Sequence, residues 1–115
     1  MRNDKENIIV DLTFKFALGV IEFSELLLEN KNYIISKQIL KSGTSIGALV
    51  REAQNAESKA DFIHKMKIAA KEADETMYWL ELCKFSKNYP NGNLLIEDLT
   101  SIIKVLSKII VTSKR

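Results

Sequence analysis

The chain has 115 residues, of which 46% are hydrophobic and 28% are charged, and its formal net charge is +2. This length suits one domain with a single core, and the nearly balanced charge excludes a globally basic nucleic-acid-binding protein. The four glycines and the single proline are too few for a turn-rich all-β fold. The single cysteine, Cys83, excludes an intramolecular disulfide and fits a reducing compartment.

The first residues show no pattern typical of an export signal or a membrane-spanning helix. Acids and bases are mixed in MRNDKEN, and Asp11 and Lys15 interrupt the apolar residues that follow. A signal peptide needs an uninterrupted apolar region, and a spanning helix needs about 20 predominantly apolar residues. We therefore expect a cytoplasmic protein without membrane association.

The first predicted helix covers residues 7–30 and has a wide apolar face. Its core stripe recurs at three- and four-residue steps and consists of Ile9, Leu12, Phe16, Val20, Phe23 and Leu27. A second strip lies beside it and makes the apolar face wide; it consists of Val10, Phe14, Ala17, Ile21 and Leu28. Glu25 and Glu29 oppose the helix dipole near the C-terminus, so we expect them to meet cations elsewhere.

The second predicted helix covers residues 33–56 and has a regular heptad seam. The seam consists of Ile35, Ile39, Ser42, Ile46, Leu49 and Ala53. The small residues Ser42, Gly43 and Ser45 permit a neighbouring helix to come close. The segment 43–45 could instead be the turn of a DNA-binding helix-turn-helix, but the heptad phase continues through Gly43, where a turn would normally reset it.

The third predicted helix covers residues 58–88 and begins at Ser58, which forms an approximate capping box with Asp61. Its core stripe consists of Ile63, Met66, Ala70, Ala73, Met77 and Leu80. A second apolar stripe, made of Ile68, Trp79 and Leu82 beside Glu75, points roughly the other way at about 100° per residue. The segment 89–92 ends the helix.

The fourth predicted helix covers residues 94–113 and completes the domain. Its seam consists of Leu95, Leu99, Ile102, Leu106 and Ile109. Four amphipathic helices joined by short connections indicate an all-α, up-down-up-down four-helix bundle that occupies residues 1–115 as one domain.

The sequence contains no set of residues that predicts a catalytic site or a metal site. A di-iron site in a four-helix bundle needs two Glu-x-x-His motifs, whereas this chain has one histidine, His64, in an Asp-x-x-His that begins at Asp61. Cys83 lies several turns from His64 on another helix face, and a nucleophile and its base must be in hydrogen-bond reach. There is no phosphate-binding glycine-rich loop. We predict a non-enzyme without metal or cofactor.

Two basic stripes are candidate nucleic-acid-binding surfaces. Lys37, Lys41 and Arg51 share one face of the second helix, and no acid interrupts that face. Lys104 and Lys108 lie on the outer face of the last helix. Such stripes suit phosphate backbones. The alternatives are a solvated surface, or pairing with the acidic back of the first helix in a neighbouring subunit.

The second apolar stripe of the third helix is a candidate oligomer interface. Exposed apolar stripes mark interaction surfaces, and Trp is enriched at binding hot spots. The candidate interface therefore consists of Ile68, Glu75, Trp79 and Leu82. The alternative is that the bundle itself covers this face. We expect a homo-oligomer.

A family resemblance is carried by residues between Ser45 and Leu80. They are Ser45-Ile46-Gly47-Ala48, Glu52-Ala53, Ser58, Asp61-Phe62, Lys65, Ala69, Lys71-Glu72-Ala73, Glu75-Thr76 and Tyr78-Trp79-Leu80. The chain resembles the 23S rRNA-intervening sequence proteins, which are small four-helix bundles encoded within bacterial ribosomal RNA genes and related to the accessory protein of diversity-generating retroelements. Leu49 departs from the family pattern, which often has Asn there.

The resemblance implies a ring-shaped homopentamer without enzymatic activity. For the retroelement branch it also implies a basic surface that binds RNA or DNA, and a reverse transcriptase partner. Proteins of that branch are typically strongly basic, whereas this chain has a net charge of +2, which favours the ribosomal-intervening type. The rival interpretation is a protein-protein scaffold whose basic stripes serve subunit or partner contacts.

Overall fold

A computed structural model describes residues 7–115, which form four α-helices. The helices are α1 (Ile8–Glu29), α2 (Tyr33–Ala53), α3 (Lys59–Phe85) and α4 (Asn93–Ser113). No strand occurs within this described range, and the predicted all-α class is confirmed. Helices α2 and α3 end before the predicted limits of 56 and 88.

The four helices pack around one core. Each helix packs against its neighbours in the chain, and α4 packs against α1. Helices α1 and α3 lie diagonally across the core, with no pair of their Cα atoms within 8 Å, and the same holds for α2 and α4. The outer faces of α1 and α3 therefore lie on opposite sides of the molecule, as do those of α2 and α4.

The core consists of one stripe from each helix, and most of its residues are at the predicted positions; on α3, however, Ala69, Thr76 and Cys83 are buried, whereas the predicted Ile63, Ala70 and Met77 are only partly buried. The largest fully buried side chains include Phe16, Leu27, Ile39, Ile46, Met66, Leu80, Leu99 and Leu106. Burial of each such side chain stabilises the fold by roughly 1.5–3 kcal/mol. The predicted seams of α1, α2 and α4 therefore identify most of the interior, and that of α3 identifies half of its buried face.

The α1–α2 contact is close because α2 has glycine where it crosses α1. A Cβ atom added to Gly43 would lie 2.8 Å from both γ-methyl groups of Val20. The Ser24 and Ser36 hydroxyl oxygens, also at this contact, are 2.7 Å apart and buried. Helix α2 continues without a break through Gly43, so the helix-turn-helix alternative is wrong.

The N-terminus of α3 is capped as the sequence predicts. The Ser58 hydroxyl oxygen accepts a hydrogen bond from the Asp61 backbone N–H at 3.0 Å. The Asp61 carboxylate accepts one from the Glu57 backbone N–H at 3.2 Å. Lys65 donates to the same carboxylate at 3.0 Å, and this bond is the main reason that the pKa of Asp61 is lowered and that of Lys65 is raised.

Helix α1 ends in a left-handed residue. Lys31 has a φ of 65°, its N–H donates to the Leu28 carbonyl at 2.9 Å, and the Asn32 N–H donates to the Leu27 carbonyl at 2.8 Å. These two bonds form a Schellman motif, in which this position is usually Gly. Lys31 therefore holds a conformation that a side chain disfavours.

Candidate interaction surfaces

The outer face of α2 presents two of the predicted basic residues to solvent. Lys37 and Lys41 are exposed, and neither forms an ion pair with any residue from 7 to 115. The single acid of α2, Glu52, points toward α3, where its Oε1 lies 3.9 Å from the Lys65 Nζ. The face around Lys37 and Lys41 is therefore positive.

Arg51 lies apart from these two lysines, on the side of α2 that faces α1. Its guanidinium carbon is 5.7 Å from the centroid of the Phe14 ring, a distance typical of a cation–π contact. Arg51 and Phe14 both line a groove of about 300 Å³ between α1 and α2. Arg51 therefore belongs to the α1–α2 groove.

The basic residues of α4 lie on a separate surface. Lys104 and Lys108 are exposed, and neither is ion-paired within residues 7–115. Because α2 and α4 lie diagonally across the bundle, Lys104 and Lys108 cannot join Lys37 and Lys41 in one patch on a single chain. The structure thus divides the five predicted basic residues among three places.

The predicted interface residues of α3 are exposed to different degrees. Glu75 is exposed, and Leu82 is 37% exposed. Ile68 and Trp79 are only partly exposed, and Trp79 packs against the core. The Trp79 indole N–H points to the Glu75 carboxylate at a long 3.5 Å. Leu82 is therefore the most accessible apolar residue of the four.

Two further aromatic residues extend this surface. Tyr78 is 56% exposed and Phe85 is 80% exposed, and with Leu82 they recur at four- and three-residue steps. The Tyr78 and Trp79 rings meet edge to face with centroids 5.3 Å apart. The spacing of residues 78, 82 and 85 could have indicated this exposed face from the sequence. The predicted stripe was instead centred on Trp79, which lies to one side of it. We call Tyr78, Leu82 and Phe85 the α3 stripe.

Part of the second apolar strip of α1 lies on the surface. Val10 is buried as expected, but Phe14, Ile21 and Leu28 are exposed, and Leu18 lies beside them; their exposed fractions are between 42% and 51%. The apolar face of α1 is therefore wide, as predicted, but these residues lie outside the core, because no helix from residues 7–115 lies over the outer side of α1. We call Phe14, Leu18, Ile21 and Leu28 the α1 stripe.

The single cysteine and the single histidine lie in different environments. Cys83 is buried, and burial raises the pKa of its thiol to about 11, so the reactive thiolate is disfavoured. His64 is exposed on α3. Among residues 7–115, no three His, Cys, Asp or Glu side chains gather closely enough to hold a metal ion. Within the same range, no helix is both long and apolar enough to cross a bilayer.

The family follows from a comparison with protein-family models. The model of the 23S rRNA-intervening sequence protein family matches residues 5–110, which is nearly the whole chain. The chain belongs to this family. The resemblance found in residues 45–80 is thereby confirmed.

A solved structure supports the fold of this family member. It is the crystal structure, at 1.70 Å resolution, of a protein of unknown function from the S23 ribosomal protein family of Bacteroides thetaiotaomicron. The two sequences are 42% identical, and the match covers 90% of this chain and 98% of the other with a TM-score of 0.85. No curated protein matches the chain. The comparisons therefore establish the family and the fold, while the function rests on the surfaces described above.

Proposed function

We propose that the chain is a non-catalytic, homo-oligomeric protein of the 23S rRNA-intervening sequence type that binds RNA or DNA through basic helix faces. The observation that carries this proposal is the outer face of α2, where Lys37 and Lys41 are exposed and not ion-paired within residues 7–115. Cations placed in this way bind phosphates and release counterions, which favours binding to a nucleic-acid backbone. Lys104 and Lys108 of α4 supply a second basic face on the opposite side.

In this proposal the bundle has up-down-up-down topology and assembles as a ring of five. Packing of each helix against its chain neighbours, through the short connections 30–32 and 54–58, supports that topology. The outer side of α3 supplies a subunit contact that includes Ile68, Glu75, Trp79 and Leu82. Exposed aromatic and aliphatic side chains are typical of such contacts.

The second candidate is a scaffold that binds another protein, for example a reverse transcriptase. The observation that favours it is the exposure of Tyr78 and Phe85 on the α3 stripe. Aromatic residues are enriched in protein interfaces, and a patch of this kind fits a protein surface as well as a second copy of the chain.

Binding of structured RNA and duplex DNA, measured by fluorescence anisotropy across a salt series from about 50 to 200 mM, tests the first candidate. The wild type is compared with Lys37→Glu/Lys41→Glu. The matched control is Lys67→Glu/Lys71→Glu, which makes the same charge change at the same spacing on exposed positions of α3.

The proposal requires an affinity that falls steeply with salt, is lost in the α2 variant and is kept in the control. Equal losses in the two variants would indicate an effect of net charge, and no binding at low salt would favour the scaffold.

A further inference from the structure

The groove between α1 and α2 is apolar along most of its lining. Its volume is about 300 Å³, which is at the lower limit of the size range of small-molecule sites. Ala17, Gly47 and Ala48 line it together with the Phe14 ring, and their small size keeps the groove open. The groove therefore suits a small ligand with a flat apolar body, which can pack against the Phe14 ring.

Arg51 supplies the hydrogen-bond donors of the groove. The two hydroxyl groups in the lining already donate within their own helices, Thr13 to the Ile9 carbonyl oxygen at 2.8 Å and Thr44 to the Leu40 carbonyl oxygen at 2.6 Å. The Arg51 guanidinium carries five N–H donors and forms no ion pair within residues 7–115. No acidic residue lines the groove, so its polar chemistry matches an anionic ligand.

Phe14 holds the Arg51 guanidinium beside the apolar lining. The guanidinium carbon is 5.7 Å from the ring centroid, so the ring attracts the cation without taking the place of an acid. A guanidinium can bind both oxygens of a carboxylate side by side, a geometry that a lysine ammonium does not offer. The groove thus combines a positioned carboxylate-binding group with an aromatic surface.

We propose that the α1–α2 groove binds a small aromatic carboxylate. The carboxylate oxygens accept hydrogen bonds from the Arg51 guanidinium, and the aromatic ring of the ligand packs against Phe14. A free phosphate would meet the same cation, but it has no apolar surface to place against Ala17 and Ala48. Burial of apolar surface is the main source of affinity in such a groove, so an acid with an aromatic body is favoured.

This site goes beyond the proposed function and is independent of it. Lys37 and Lys41, whose face carries that function, do not line the groove. The α3 stripe belongs to a different helix. Binding of the acid and binding of nucleic acid can therefore be lost separately.

The test uses 3-phenylpropionate as the probe and the full chain as the protein. The matched control ligand is 3-phenylpropanamide, which has the same ring and chain but a neutral amide in place of the carboxylate. Affinity is measured by isothermal titration calorimetry. The NMR signal of the Gly47 N–H reports the position of the ligand, because the chain has only four glycines and their signals lie apart from most others.

Three variants separate the groove from its surroundings. Arg51→Gln removes the cation, and Ala48→Leu fills part of the groove. Lys41→Gln removes a cation from the same helix outside the groove and is the matched control. All three positions are exposed, so circular dichroism is expected to show unchanged helix content.

The wild type is expected to bind the acid with a Kd of about 1 mM or below and to show a shifted Gly47 signal. Arg51→Gln is expected to raise the Kd about tenfold or more, because hydrogen bonds between charged groups are lost. Ala48→Leu is expected to weaken binding as well, and Lys41→Gln to keep the wild-type affinity.

The proposal is overturned by a wild type that shows no saturable binding, by equal binding of the amide, or by an unchanged affinity in Arg51→Gln. Inorganic phosphate that shifts the Gly47 signal as much as the acid does would show a general anion contact and would also overturn it. A wild type that binds the acid but neither RNA nor DNA would overturn only the proposed function.

Discussion

Helices α1 and α2 are neighbours in the bundle, and they bury similar inner faces but present different outer faces. The inner faces contribute Phe16 and Ile39 to the same core. Outside, α1 exposes apolar side chains such as Ile21, whereas α2 exposes the cations Lys37 and Lys41. The two helices therefore contribute to the core in the same way, through a buried apolar stripe. The chemistry of each outer face determines which kind of partner it fits.

The largest expected effect contrasts the inner seam with an outer face of the same helix. Leu106 is completely buried, and Val111 is 57% exposed. We expect Leu106→Ala to lower the free energy of unfolding by about 2–5 kcal/mol because it leaves a cavity. Val111→Ala is expected to change it by less than about 0.5 kcal/mol. Urea denaturation measures both, and a cost below about 0.5 kcal/mol for Leu106→Ala would mean that the assigned helix phase is wrong.

The next effect concerns the close approach of α1 and α2. We expect Gly43→Ala to lower the free energy of unfolding by about 1–2 kcal/mol, because the added methyl would lie 2.8 Å from the branched Val20 side chain and this outweighs the gain in helix propensity. The matched control is Gly19→Ala, whose methyl would meet only the end of the flexible Leu95 side chain at 3.0 Å. Thermal unfolding should show the control unchanged or stabilised by up to about 1 kcal/mol; equal losses in both would contradict the close contact at Gly43.

A smaller effect concerns the connection between the two helices. Lys31→Gly is expected to raise the free energy of unfolding by about 0.5–1 kcal/mol, because glycine adopts the left-handed conformation without steric cost although it adds entropy to the unfolded chain. Lys31→Ala, which keeps a Cβ atom, should give no such gain. A loss of stability in Lys31→Gly would show that the Lys31 side chain contributes an interaction that outweighs the strain.

The last effect is a pH dependence of the folded interior. Burial raises the pKa of the Cys83 thiol from 9.0 to about 11. Between these values the unfolded chain loses the thiol proton while the folded chain keeps it, so the stability contributed by Cys83 falls as the pH rises. We therefore expect the wild type to have a higher free energy of unfolding than Cys83→Ala, and this difference to become smaller as the pH is raised from 9.0 to about 11. A constant difference in urea denaturation across that range would mean that the thiol ionises equally in both states.

The sequence predicted most of the inner faces of α1, α2 and α4, because helical spacing fixes the direction in which a side chain points. On α3 the buried stripe includes Ala69 and Thr76, next to the predicted Ala70 and Met77. Residues such as Val20, Ile46 and Leu99 lie in the core as expected. Spacing does not fix how wide a face the neighbouring helices cover. For this reason the sequence could place Phe14 and Ile21 on a wide apolar face beside the core stripe but could not tell that both lie on the surface.

The candidate surfaces were less predictable because they depend on the positions of neighbouring side chains. Arg51 falls within the basic stripe of α2 by spacing, yet its position over Phe14 places it in the α1–α2 groove. Trp79, which guided the predicted interface on α3, is only partly exposed, whereas Tyr78 and Phe85 expose more surface. Helical direction alone could not rank these residues, because their exposure depends on how deeply each lies beside α2 and α4.

The most direct test of the division between inner and outer faces uses two adjacent leucines of α1. Leu27 is completely buried and Leu28 is 47% exposed, so Leu27→Ala and Leu28→Ala make the same chemical change on either side of that division. Both variants are examined by urea denaturation.

We expect Leu27→Ala to lose about 2–5 kcal/mol of stability. Leu28→Ala is expected to lose less than about 0.5 kcal/mol. A loss of 2 kcal/mol or more, on the order of the cost of a buried leucine, in Leu28→Ala would place the α1 stripe in the chain's own core and contradict the account.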